Sequence, residues 1–181
     1  MFEKLNVAML LACALLVNSA CAAAEDSFAE WLFSFQRTKE VKPVDNKRYQ
    51  EECGSCHYAY PPGLMPARSW ERLLTAEALH SHFGDNAELD SATLQYVRDY
   101  ALDNAADKSW YKRSRKIALA TEKGEAPLRI TEVSYIKRVH RDIPEQMMRG
   151  NKEVKSLSYC DKCHTQAEKG VFDNDTVNIP K

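Results

Sequence analysis

The chain has 181 residues, a formal net charge of −1 and six cysteines. That length suits one domain or two small ones. It contains no phosphate loop, serine-nucleophile elbow or nucleic-acid motif, so nucleotide chemistry, serine hydrolysis and nucleic-acid binding have no support, and the cysteines become the informative residues.

The first element reads as an export signal over residues 1–22. A short start with one lysine leads into the unbroken apolar run Val7–Val17, and the small residues of "NSACAAA" offer cleavage after Ala22 or Ala24. This is the three-part order of a secretory signal. The run is shorter than the about 20 residues a membrane helix needs, so no stable membrane insertion is expected after cleavage. Cys21 follows small residues, as a lipid-anchor cysteine does. Asn18 stands three positions before it, where such signals favour leucine, so a lipid anchor is not expected.

Asp26 or Ser27 then caps a helix with the apolar stripe Phe28, Trp31, Leu32 and Phe35. A polar connection follows, and a helix starting near Asp45 or Asn46 carries "CGSCH", Cys53 to His57. Pro61, Pro62, Gly63 and Pro66 make "YAYPPGLMPARSW" a loop. Helical periodicity resumes over "ARSWERLLTAEALHSHF", with Gly84 able to close the helix. "LDSATLQYVRDYALDNAAD" is a further helix, capped by Asp90 or Ser91, with Leu94, Val97, Tyr100 and Ala101 on one face. The basic stretch "DKSWYKRSRK" reads as a solvated helix face or link, and otherwise as a docking patch for an acidic partner. Gly124 and Pro127 mark a turn before a helix in which Ile136, Val139, His140 and Ile143 share one face. The second motif, "CDKCH", runs from Cys160 to His164, and the tail "GVFDNDTVNIPK" is polar and irregular. No strand-rich region stands out, so the expected class is mainly α.

Cys13 and Cys21 belong to the export segment. The other four form two Cys-x-x-Cys pairs, each followed at once by histidine. This is the attachment pattern of c-type haem. Two thiols three positions apart lie on adjacent turns of a helix and each can form a thioether to one vinyl group. The next residue supplies an imidazole to the iron. A four-cysteine zinc site would need the two pairs far closer in sequence and leaves both histidines as coincidence. A redox dithiol needs one reactive pair beside a strand–helix unit. Two covalently bound haem c groups are therefore expected, held by Cys53 and Cys56 and by Cys160 and Cys163. His57 and His164 are the expected motif-side iron ligands.

The opposite ligands come from His80, His82 and His140, or from Met147 and Met148, which equally suit flexible core filling. Met65 follows His57 too closely to cross a haem and reads as packing. Residues two apart on a helix point apart, so at most one of His80 and His82 faces a given haem. His82, beside Phe83 and Gly84, is favoured over His80, which then reads as a surface histidine. His140 lies on an apolar face, where an iron nearby would need a ligand. Such closed sites favour electron transfer over catalysis. Arg68 or Arg72 is expected to pair with haem propionates.

The segments "YQEECGSCHYAYPPGLMPARSWERL", "HFGDNAELD", "RITEVSYIKRVHRDIP" and "YCDKCH" resemble the small bacterial dihaem cytochromes c, over roughly Tyr49 to His164. The resemblance implies a mainly α protein whose N-terminal half is similar to class I cytochrome c and whose C-terminal half is helical and irregular around a second haem. It implies a periplasmic electron carrier with bis-histidine haems. The iron ligands would be His57 and His82 at haem 1, and His140 and His164 at haem 2. It also implies redox-protein partners, either a small oxygen-binding monohaem cytochrome c or a membrane cytochrome b. The corresponding division is a haem 1 domain over 25–106 and a haem 2 domain over 107–181. The rival functions are a dihaem peroxidase or oxidase, which needs an open iron and an acid–base group, and a haem-based redox or gas sensor, which needs a displaceable ligand and an output domain.

Overall fold

Helix α1 (Lys47–Gly54) begins where the Asn46 side chain accepts a hydrogen bond from the Tyr49 amide at 2.9 Å. It is the first of seven helices among residues 40–180, the part of the chain that the computed structural model describes. The export segment, Cys13, Cys21 and the helix expected from Asp26 lie outside the described residues. The others are α2 (Ala67–Leu73), α3 (Ala76–His80), α4 (Ser91–Asp103), α5 (Lys112–Ala120), α6 (Ser134–His140) and α7 (Cys160–Cys163), joined by short 3₁₀ turns. The described residues contain no strand, only isolated bridges between His82 and Asp85 and between His164 and Val177. The class is mainly α. No described helix is long and apolar enough to cross a membrane.

The helical stretch expected over "ARSWERLLTAEALHSHF" is two helices and ends at His80. Leu74 leaves helical geometry at ψ 63°, and Thr75 caps α3 by accepting from the Ala78 amide at 3.1 Å. A threonine side chain competing for backbone amides starts a new helix rather than continuing an old one. Arg98 of α4 secures the break by donating to the carbonyls of Glu71 and Leu74 at 2.8 and 2.9 Å. These are end carbonyls that α2 leaves without partners. Asp90, of the two expected caps, starts α4 by accepting from the Ala92 and Thr93 amides. Helix α4 then buries Thr93, Val97 and Ala101, and crosses α1 with the Tyr49 and Tyr100 rings 4.9 Å apart.

The proline-rich segment forms the middle of the core. Pro61 to Pro66 are all buried, the Pro62 carbonyl accepts from the Trp70 indole at 2.8 Å, and the Met65 carbonyl accepts from Ala106. Met65 is core packing, with Leu64, Trp70, Val97, Ile117 and Val133. Each such side chain contributes roughly 1.5–3 kcal/mol of burial. Helix α5 splits the basic stretch. Lys112, Arg115 and Lys116 are exposed, while Arg113 turns inward to a nearly buried ion pair with Glu40 and donates to the Tyr135 hydroxyl at 3.0 Å.

Candidate functional site

The first motif straddles a helix end. Cys53 is inside α1, but the helix stops at Gly54, leaving Cys56 and His57 on the turn beyond it. The expectation that one helix carries the whole motif is therefore met for the first thiol only. The His57 ring is fixed by its Nδ1, 2.8 Å from the Tyr58 carbonyl. Facing it is His82, with ring centres 6.3 Å apart and planes at 23°. His82 stands past the end of α3, at the base of a two-residue turn closed by the Asp85 amide donating to the His82 carbonyl at 3.2 Å. Both central residues have positive φ, Phe83 at 56° and Gly84 at 110°. Glycine adopts this freely, whereas a bulky aromatic does so at a cost of about 1–3 kcal/mol. His80 is not part of the site: it is exposed, and its Nδ1 lies 2.9 Å from Glu88 Oε1.

The second motif is a single helical turn, α7, followed directly by His164. The chain's last residues return to hold it, with Asn178 donating to the Cys163 carbonyl at 2.8 Å and Val177 bridging His164. The tail is irregular, as its polarity suggests, but Val171 and Phe172 are buried, and Phe172 packs 5.3 Å from the His164 ring. His140 closes α6, with its Nδ1 2.8 Å from the Ile136 carbonyl one turn back. Its ring centre is 6.0 Å from that of His164, with the planes at 79°. Tyr135 supplies the helix's buried contact, while Val139 of the expected apolar stripe is exposed. Met147 is also exposed.

Tyrosines 58 and 60, directly after the first motif, tie the two regions together. Tyr58 donates to the Ala167 carbonyl at 2.7 Å, and Tyr60 donates to the Ser158 carbonyl. A cleft of about 690 Å³ runs between the motifs, lined by Cys56, His57 and Tyr58 on one side and Tyr159, Asp161 and Lys162 on the other. That is within the range of cofactor-sized sites.

The electrostatics disfavour the rival readings of the cysteines. No disulfide joins the four, and burial pushes the Cys53 and Cys160 thiols up to about 12. Reactive dithiols and zinc thiolates need the opposite shift. Among the described residues no group of three or more His, Cys, Asp and Glu is arranged to hold a metal ion. Burial, then the neighbouring His57 and Arg129, lower the pKa of His82. Burial, then His140 and Arg113, bring His164 down to about 4. Both rings are therefore neutral near pH 7, the form that ligates a metal.

The spacing of the imidazoles fits a shared metal. A ligating nitrogen stands about 2.0 Å from its metal and about 1.1 Å in front of its ring centre, so two rings across one metal have centres about 6 Å apart. Both pairs have this spacing. Arg68 and Arg72 donate to main-chain carbonyls of Glu122, Glu125 and Ala126. Tyr58, Tyr60, Phe172 and Arg129 were not legible as site residues. The nearest signal was the pair of aromatics directly following "CGSCH".

Two thiol pairs, each beside two facing imidazoles in a small helical protein, define a c-type cytochrome with two haems. The dihaem cytochrome c family profile matches residues 49–172. The chain is 40% identical to a dihaem c-type cytochrome of Shewanella baltica, over 75% of this chain and 93% of that one, with a TM-score of 0.60. It is 37% identical to the dihaem cytochrome c of Rhodobacter sphaeroides, over 73% of this chain and all of that one, with a TM-score of 0.63. A second structure of the Rhodobacter protein matches at 38% identity, over 72% and 99% of the two chains, with a TM-score of 0.56. No curated protein matches. The chain belongs to the dihaem cytochrome c family. It carries two haem c groups, and Cys53/Cys56 and Cys160/Cys163 are its haem-binding motifs.

Proposed function

We propose that this protein is a periplasmic electron carrier whose two haem irons are each held between two histidines. His57 and His82 hold haem 1, and His140 and His164 hold haem 2. The observation that carries this reading is the two imidazole pairs, with ring centres 6.3 and 6.0 Å apart, beside the two thiol pairs. The haems supply a one-electron ferric–ferrous couple. The polypeptide's part is to anchor and orient. Cys53, Cys56, Cys160 and Cys163 fix the cofactors covalently. The Tyr58 and Ile136 carbonyls hold His57 and His140 in the tautomer that frees Nε2. While both imidazoles are bound, an iron has no position open to substrate, and two nitrogen ligands give a lower potential than a thioether ligand would.

The packing of α1 on α4 through Tyr49 and Tyr100 supports the likeness of the N-terminal half to class I cytochrome c. We assign haem 1 to the segment 25–106 and haem 2 to 107–181. The partners in this reading are other redox proteins, a small oxygen-binding monohaem cytochrome c or a membrane cytochrome b. Optical and EPR spectra of the ferric protein test it. Two low-spin haems are expected; a high-spin signal from either iron overturns bis-histidine ligation.

A further inference from the structure

The four imidazoles are not held equally. His57 and His164 each follow a cysteine of a haem-binding motif, so the covalent attachment keeps them beside their haem whatever else moves. His57 and His140 each have Nδ1 fixed by a main-chain carbonyl at 2.8 Å. Such an anchor fixes the ring and makes it a stronger ligand. His140 has a helix behind it as well. His82 has none of these. It follows no cysteine and belongs to no helix, and its Nδ1 is buried without a hydrogen-bond partner. The His164 Nδ1 is also without one, but the adjacent Cys163 attachment retains that ring.

The support under His82 is poised to give way. Its turn puts Phe83 at φ 56°, a conformation a bulky side chain leaves readily when released. Residues 80–86 are all exposed except His82. The base of the turn is closed by the Ala87 amide donating to the Leu79 carbonyl at 2.9 Å and by the His80–Glu88 contact, and a further contact from outside opposes its opening. The Arg129 guanidinium lies over the Phe83 ring, 3.8 Å from its centre, and that ring sits 4.7 Å from the His82 ring.

The geometry points to haem 1 as the haem that opens. His82 is a displaceable ligand, and the position it leaves takes a small neutral π-acceptor of the carbon monoxide or nitric oxide class. The Arg129–Phe83 stack is the latch, and haem 2 stays closed. This rests on the bis-histidine reading above.

The test is a carbon monoxide titration of the fully reduced holoprotein, followed optically. A six-coordinate low-spin spectrum before the gas is added checks the ligation reading separately. One carbon monoxide per two haems is expected. Arg129→Gln, which removes an exposed cation–π contact, should lower the half-saturating concentration about two- to fivefold. His82→Gly should bind one carbon monoxide, tightly, and no second. No binding to the parent, two molecules bound by either protein, or an unchanged Arg129→Gln titration overturns the proposal. The parent and Arg129→Gln titrations decide it even if His82→Gly does not fold.

Discussion

Replacing Tyr58 and Tyr60 by phenylalanine removes two hydroxyls, keeps both rings and touches no cysteine or histidine. The acceptor of Tyr58, the Ala167 carbonyl, also receives the Gly170 amide at 2.9 Å, so it keeps a partner when the hydroxyl goes. That loss is at the low end for a hydrogen bond, about 0.5–1 kcal/mol. Tyr60 donates to the Ser158 carbonyl, two residues before Cys160, and its loss is worth about 1–1.5 kcal/mol. The rings are 5.7 Å apart and edge to face, so the two changes couple by a few tenths. The double variant should lose about 2 kcal/mol, or about 4–8 °C in Tm for a chain of this size.

The assay is guanidinium denaturation of the holoprotein, followed by haem absorbance and far-ultraviolet circular dichroism. Burial raises the pKa of both phenols, so the hydroxyls remain donors across the working range and the deficit should not change with pH. The two bonds join the segments carrying the two motifs, so the variant should also melt less cooperatively. A double variant within about 0.3 kcal/mol of the parent would refute the claim that these hydroxyls hold the regions together.

The ferric EPR spectrum should show two different low-spin species in equal amounts. Planes at 23° split the two iron orbitals that π-bond to imidazole and give a rhombic signal, whereas planes at 79° leave them nearly degenerate and give a large-gmax signal; two identical rhombic signals contradict the ring geometry. Burial holds His164 below its ordinary value of 6.5, and an iron bond to the ring would exclude the proton as well, so below pH 6.5 the unfolded chain binds a proton that the folded chain refuses. Stability present above pH 6.5 is therefore lost as the pH falls below it, and a denaturation midpoint that stays flat through this region contradicts the shift. Gly170→Ala puts a Cβ 2.0 Å from the Val41 carbonyl oxygen at a φ of 74°. It should cost about 3 kcal/mol or more by chemical denaturation, and a near-neutral result would mean that this close approach is absent.

What could be read in advance follows from how each interaction is built. Covalent attachment demands two thiols and an imidazole within one turn of chain, so Cys53 to His57 and Cys160 to His164 are written as contiguous motifs. Helix α4 was equally plain, because its cap and its apolar period are local. The break at Leu74 was hidden, because Thr75 caps α3 locally but the stranded carbonyls are satisfied by Arg98 from another helix. Arg113 looked like one cation among several, and its burial depends on Glu40 meeting it across the fold. Phe172 looked like a lone aromatic in a polar tail until the tail folded back on the second motif.

The residues opposite the motif histidines belong to this second kind. The local code favours His82 over His80 only through the neighbouring Phe83 and Gly84. The separation comes from where α3 ends and from a turn that exposes the first and brings the second to His57. The motif side is constrained by covalent chemistry and has little freedom, so under the proposed ligation differences between the two haems would arise on the opposite side. There, His140 ends a helix and is anchored to it by its Nδ1. His82 rides on a strained turn with its Nδ1 unpaired. Two motifs of the same form thus meet two imidazoles whose planes and supports differ, and under the proposed ligation the turn at Phe83 is where the two haems would differ in their hold on the sixth ligand.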